Sequence, residues 1–278
     1  MRISLCNEVI RAFPIEQQFV FARQIGYEGL EIAPFTLGEE PHRLPAARRT
    51  QVRNAARAAG MTITSLHYLM LAPKALSITS SDAAQRSRTV DVMRRLCDLA
   101  ADLGAGLLVH GSPAQRQLEP GKEAEGRQYA TECFAAAAEA AGKAGVIYCI
   151  EPLAPPEDLL VTSVQAAAAI VRAIGSPSVK TMVDCSAAGR AERQSIPELL
   201  EQWLPTGLIA HIHLNDPNRR GPGEGSLAFG PILRALSLGG YQGMPAIEPF
   251  IYEPDGPACA ARAIGYVRGL LEQMAPAP

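Results

Sequence analysis

Short apolar, often β-branched runs alternate along the chain with longer Ala-rich runs whose apolar positions recur at helical spacing. Residues 3–6 read as a strand and 15–24 as a helix, with Gly26 placed to close it. Residues 29–32 form a second strand carrying Glu31 near its end, a helix over 46–59 stops at Gly60, and strand 62–66 runs into His67. Ser81-Asp82 can cap a long helix reaching residue 103, with Gly104 after it. Strand 106–109 enters His110-Gly111, helix 122–143 ends before Gly145, and strand 146–150 runs into Glu151-Pro152. Thr162-Ser163 can cap a helix to residue 173, and strand 179–183 ends in Asp184. A short helix over 197–203, strand 208–213, helix 229–238, strand 245–247 and a closing helix over 258–273 complete the pattern. The tail, 274–278, is expected to fray.

Eight strands, each followed by a helical run, predict a (β/α)8 TIM barrel, with residues 1–278 as a single domain. A doubly wound open sheet would want a glycine-rich phosphate turn after its first strand, and Cys6-Asn7-Glu8-Val9 offers none. In a TIM barrel the chemistry sits at the carboxyl ends of the strands. His67, His110, Glu151, Asp184, His213 and Glu248 all fall there.

Composition narrows the partners. Hydrophobic residues make up 47% and charged residues 19%, enough for a sizeable core. The net charge of −2 gives no electrostatic reason to expect nucleic acid or an anionic membrane. No apolar run approaches the roughly eighteen residues of a spanning helix. The chain enters a strand pattern directly at MRISLCNEVIRAF, without the features of a signal peptide, so a cytoplasmic location is expected. Six cysteines are scattered with no CxxC pair, which points to buried reduced thiols rather than a zinc site or disulfides. Cys185 follows Asp184, yet no histidine pairing marks it as a nucleophile.

The most informative stretch is LIAHIHLNDPNRRGPGEG, residues 208–225. His211 and His213 share one face of a strand because side chains alternate. Glu151, Asp184, His213 and Glu248 close four successive strands. Three carboxylates and an imidazole suit Mn²⁺, Mg²⁺ or Co²⁺ better than a thiophilic ion. The competing reading has each carboxylate cap a helix or pair with an arginine at the rim. His211 is assigned a core role or a supporting one that orients a ligand. His67 and His110 each offer a substrate contact or proton carrier, or a satisfied rim histidine. His42, in a Pro- and Arg-containing segment, reads as ordinary surface.

Ile150-Glu151-Pro152, Val183-Asp184, His211-Ile-His213-Leu-Asn-Asp-Pro-Asn-Arg219, Gly221-Pro-Gly-Glu-Gly225 and Ile247-Glu248-Pro-Phe250 together carry a resemblance. The chain resembles the xylose isomerase-like TIM-barrel superfamily, within it the sugar isomerase/epimerase group of D-tagatose (D-psicose) 3-epimerases and hydroxypyruvate isomerases. The motifs run from the fifth strand to the eighth; the first half matches only in general organisation. The resemblance implies Glu151, Asp184, His213 and Glu248 as metal ligands, Mn²⁺ as the usual ion, and Glu151 and Glu248 as the acid/base pair. The implied chemistry is proton transfer beside a carbonyl through an enediolate. Glu157, six residues after Glu151, and Arg219, six after His213, match the family's substrate-holding glutamate and arginine. A solvated loop charge and a rim ion pair are their simpler readings.

One position departs. The resembled epimerases carry a substrate-contacting histidine three residues after the metal-binding aspartate, and here Ala187 stands there. A lyase or deglycosylase acting on 3-keto-glycosides is therefore an alternative, with His67 and His110 free to assist. An apurinic endonuclease with three zincs would be under-ligated, and a non-catalytic sugar-binding barrel would not need the full quartet. The expected partner is a small sugar or sugar derivative, and the resemblance suggests a homodimer or homotetramer.

Overall fold

Each expected strand is present, shifted at its ends by no more than a residue or so. The computed structural model describes residues 1–274. It places β1 (Ser4–Cys6), β2 (Gly29–Ile32), β3 (Thr62–Leu66), β4 (Leu107–His110), β5 (Ile147–Ile150), β6 (Val179–Asp184), β7 (Ile209–Leu214) and β8 (Ala246–Ile247) in one closed barrel, in chain order. All neighbouring pairs are parallel, and β1 pairs with both β2 and β8, which closes the sheet.

The surrounding helices are α1 (Ile15–Ile25), α2 (Ala46–Ala58), α3 (Ala83–Leu103), α4 (Glu123–Ala144), α5 (Val164–Ile174), α6 (Cys185–Ala191), α7 (Ile196–Trp203), α8 (Phe229–Leu238) and α9 (Gly256–Met274). Their starts follow side-chain chemistry. Asp82 accepts from the Ala84 amide and Ser163 from the Ala166 amide, each satisfying an orphan N–H of the first turn. Ser195 and Glu198 form a reciprocal capping box on α7. Gly104 and Gly145 end α3 and α4 with φ of 80° and 70°, a conformation that a Cβ disfavours.

The main core lies between barrel and helices, where Phe19, Tyr27, Phe134, Tyr148 and Phe229 are fully buried. Inside the barrel a smaller apolar group, Val109, Cys149 and Met182, packs together. Cys149 lies two residues before Glu151 and Met182 two before Asp184, so alternation puts this plug one layer beneath those carboxylates. All six cysteines are buried and free among the described residues. No helix among the described residues is long and apolar enough to cross a membrane.

Two expectations need correction. Between β6 and the expected helix over 197–203 the sequence pattern gives no helix, yet α6 forms there; a seven-residue helix is too short to show a periodicity. Its Asp184 cap accepts from the Ala187 amide at 2.6 Å. His42, expected on the surface, is buried, because its turn (Pro41–Arg43) folds against α3. Met274 belongs to α9, and the rest of the expected frayed tail, 275–278, lies outside the described residues.

Candidate active site

The carboxyl ends of β5 to β8 converge. β6 and β7 are in register with Asp184 opposite His213, and His213 in turn lies opposite Ala246 of β8. Glu151, Asp184, His213 and Glu248 each offer one ligand-type atom, and these atoms all lie within 4.8 Å of one another. His213 Nδ1 stands 2.8 Å from Glu248, 3.6 Å from Glu151 and 3.7 Å from Asp184. All four side chains are buried.

The other half of the barrel holds this group in place. Glu31 of β2, fully buried, takes His211 Nε2 at 2.8 Å and His213 Nε2 at 3.3 Å. Burial alone would raise the Glu31 carboxyl, but the two histidines hold it well below the usual carboxylate range. Nδ1 of the same ring faces the carboxylates, so a neutral His213 that gives its Nε2–H to Glu31 would present the Nδ1 lone pair to them. That atom is buried without a hydrogen-bond partner among the described residues. A lone pair facing three carboxylates is repulsive unless a proton or a cation lies among them, and oxygen donors with one imidazole fit a hard divalent cation.

His67 sits beside the group rather than in it. Its Nδ1 lies 3.0 Å from Glu248 and its Nε2 2.9 Å from Glu8, so both ring nitrogens are engaged by carboxylates. Burial works against its protonation, yet the neighbouring acidic groups pull it well above the usual imidazole value. The carboxylates of the cluster differ in environment. Burial pushes Glu151 up to about 7 against the pull of His213, whereas His213 and His67 outweigh burial at Glu248 and hold it down.

Above the cluster opens a cavity of about 180 Å³ lined by Tyr68, Glu157, Arg190, Arg219 and Phe250, with Glu151, Asp184 and Glu248 at its floor. Glu157 and Arg219, the two expected substrate contacts, are both at this mouth and pair with each other at 3.1 Å. Tyr68 and Arg219 are non-glycine residues held at φ of 49° and 69°. Left-handed backbone of this kind costs energy and collects at functional sites.

His110 does not join the site. Val109 packs into the barrel plug, so alternation turns His110 outward. Its Nδ1 lies 2.8 Å from the Tyr148 hydroxyl, and its ring meets Phe134 edge-on at 5.2 Å. Burial drives its pKa down to about 3, so it is a neutral core histidine rather than a substrate contact. His211 lies one layer below His213 on Glu31 and is not part of the four-residue group.

Sequence reading passed over several supports. Asn215 donates to Asp184 at 2.7 Å and to Glu248 at 3.4 Å while accepting the Ser186 amide at 2.7 Å. Arg116, completely buried, pairs with Asp158 and donates to the Glu151 carbonyl at 2.7 Å and the His110 carbonyl at 3.1 Å. Asp158 also takes the Leu160 and Val161 amides, so one ion pair fixes the loop between Glu151 and Glu157. Two glycines are required by proximity: a Cβ on Gly111 would fall 1.4 Å from Glu151 Oε2, and one on Gly225 2.2 Å from the Asp216 carboxylate. The latter ties the GPGEG segment to the HLND segment, since neither can shift without the other.

A family profile described as "Xylose isomerase-like TIM barrel" matches residues 19–270. The chain belongs to this family. This xylose isomerase-like barrel is 25% identical over 280 residues to a fructoselysine 3-epimerase of Shigella flexneri, covering 94% of each chain. It is 26% identical over 234 residues to a D-psicose 3-epimerase of Ruminiclostridium cellulolyticum, covering 82% of this chain and 75% of the relative. Among solved structures, D-psicose 3-epimerase with D-tagatose from Clostridium cellulolyticum H10 superposes with a TM-score of 0.83. That match covers 98% of this chain and 99% of the other at 20% identity, and it speaks to the fold. The family covers both barrel halves, including the first, where no motif is legible.

Proposed function

We propose that this barrel is a divalent-metal-dependent sugar isomerase/epimerase that moves a proton beside a carbonyl, in the manner of a ketose 3-epimerase. The observation that carries the reading is the cluster itself. Glu151 and Glu248 are at once members of a cation-fitting quartet and wall of the cavity above it. The relatives support it, since a fructoselysine 3-epimerase aligns along nearly the whole chain.

Glu151, Asp184, His213 and Glu248 would hold the ion, Mn²⁺ with Mg²⁺ or Co²⁺ as substitutes. When bound, it supplies electrophilic polarisation of the carbonyl next to the C–H that breaks. One of Glu151 and Glu248 removes that proton from one face of the substrate, leaving an enediolate. The other returns a proton to the opposite face and inverts the centre. His67 fixes the orientation of Glu248 through its 3.0 Å contact, and Asn215 does the same for Asp184 at 2.7 Å. Glu157 and Arg219 line the mouth, where they would hold hydroxyls of the substrate.

The 3-keto-glycoside lyase alternative keeps one of its grounds, Ala187, and loses the other: of the two histidines it drew on, His110 faces the helix layer and His67 is taken by two carboxylates. Incubating Mn²⁺-loaded protein in D₂O with fructose, tagatose, psicose, sorbose and a 3-keto-glucoside, followed by NMR, decides between them. Deuterium at C3 with an epimeric ketose, lost in Glu248→Gln, is the expected result. Release of the aglycone from the 3-keto-glucoside with inert free ketoses would replace the epimerase by the lyase.

A further inference from the structure

We propose that Glu8, in the turn after β1, is a positioning residue for the proton transfer: through His67 it holds the Glu248 carboxylate in the setting from which that group works. The proposal rests on the isomerase/epimerase reading for the chemistry and adds a residue which that reading does not use.

The two oxygens of Glu248 are differently occupied. Oε2 turns to the quartet, 2.8 Å from His213 Nδ1 and 3.4 Å from Asn215 Nδ2. Oε1 turns to His67 Nδ1 at 3.0 Å. Rotation about the last side-chain bond would interchange the two oxygens, and that torsion is soft. The His67 contact opposes it. Behind the ring, Nε2 lies 2.9 Å from Glu8 Oε2. Glu8, His67 and Glu248 are all buried, so bulk water does not compete for these contacts. The His67 ring also meets the His213 ring edge-on, with 5.9 Å between centroids and 86° between planes. A turn of this one ring would therefore disturb two members of the quartet.

Glu8 does more than fill space. A buried carboxylate is unfavourable unless it is paired, and among the described residues its ion-pair partner is His67, with no arginine or lysine. Its turn, Asn7–Ile10, is buried throughout and fixed on two sides. Asn7 donates to Gln18 and Thr36 at 2.9 Å each and accepts the Ala33 amide at 2.7 Å. A Cβ on Gly256 would fall 1.7 Å from the Val9 carbonyl oxygen, so α9 starts directly against the turn. A carboxylate accepts and does not donate, whereas a glutamine amide of the same shape does both. Glu8 therefore requires a hydrogen on Nε2 and fixes the way the ring faces; Gln in its place would not. Cys6, Glu8, His67 and Glu248 also offer atoms within 4.8 Å of one another, but each ring nitrogen of His67 already faces a carboxylate. The group is a hydrogen-bonded link rather than a second cation site.

The test uses the Mn²⁺-loaded protein and a pair of ketoses, epimeric at C3, that the wild type interconverts. NMR in D₂O follows C3 exchange and epimerisation from each member of the pair. Glu8→Gln and Glu8→Asp, the second keeping the charge but drawing it back from Nε2, should each lower kcat about 10–100-fold with KM nearly unchanged. Because Glu151 is untouched, the loss should be one-sided. One epimer still exchanges its C3 hydrogen while its conversion falls, and the other loses both. In a His67→Phe background, Glu8→Gln should add less than about twofold, since the path to Glu248 is already cut. Thermal unfolding checks that the variants fold, and competition against a chromophoric chelator checks that each still binds one Mn²⁺ per chain.

An equal loss from both epimers, or an undiminished Glu8→Gln effect in the His67→Phe background, overturns the proposal. A second Mn²⁺ per chain that is lost in Glu8→Gln overturns it in favour of a cation site. If the wild type exchanges ketoses and both Glu8 variants match it, only the role of Glu8 falls. If the wild type exchanges no ketose at all, the epimerase reading falls and takes this role with it.

Discussion

The two halves of the barrel contribute unequally to one site. β5 to β8 end in the four residues that meet in the cluster, and the motif-like segments of the sequence all lie there. β1 to β3 and their loops supply Glu31 and His67, which touch His213 and Glu248 from behind, and Glu8, which holds His67. The partners are remote in sequence: His211 and Glu31 are 180 residues apart, His67 and Glu248 181. Closure of β1 onto β8 is what brings the halves into contact. Where ligating chemistry is concentrated, sequence spacing is constrained; where a residue only orients another, many sequences reach the same geometry.

That division can be broken experimentally. The largest effect is expected in the second half. Asp184→Asn keeps the size and the helix cap but removes a ligand charge, and Mn²⁺ affinity should fall by more than the roughly 10–100-fold typical of a supporting residue. A competition titration against a chromophoric chelator measures it, and unchanged affinity would remove Asp184 from the ligand set.

In the first half, Glu31→Gln should cost about 10–100-fold in Mn²⁺ affinity or C–H exchange, because His213 loses the carboxylate that fixes its tautomer. The same titration reads this, with circular dichroism to confirm the fold. A loss as large as that of Asp184→Asn would erase the distinction between the halves.

The smallest effect is expected at His110. Its ring is packed against Phe134 and hydrogen-bonded to Tyr148, so His110→Phe should lower the melting temperature while leaving C3 exchange at the wild-type rate. Loss of exchange in a protein that still binds Mn²⁺ would return His110 to the chemistry.

Most of the architecture was legible. Alternating two-residue and helical periods, with capping residues at 82 and 163 and glycines at 104 and 145, set out eight strands and most of the helices. The quartet was legible because each member ends an apolar run. His110 misled for the same reason: position at a strand end does not say which face the side chain takes, and Val109 claims the inward one. His42 misled because a polar, proline-containing segment can still be buried by its neighbours. Arg116 and Asp158 were invisible, since a buried ion pair between two loops has no periodicity and no motif.

The sequence by itself determined the barrel, the order of its strands and the residue types waiting at their ends, because those follow from local periodicity and short spacings. Only the tertiary structure decided which face each end residue presents, that Glu31 and His67 contact His213 and Glu248 from the opposite half, and that Arg190 stands with Arg219 at the mouth. The physical reason is closure: side-chain direction and long-range pairing are fixed when the sheet rolls up and the helices pack, and neither is encoded in any one segment.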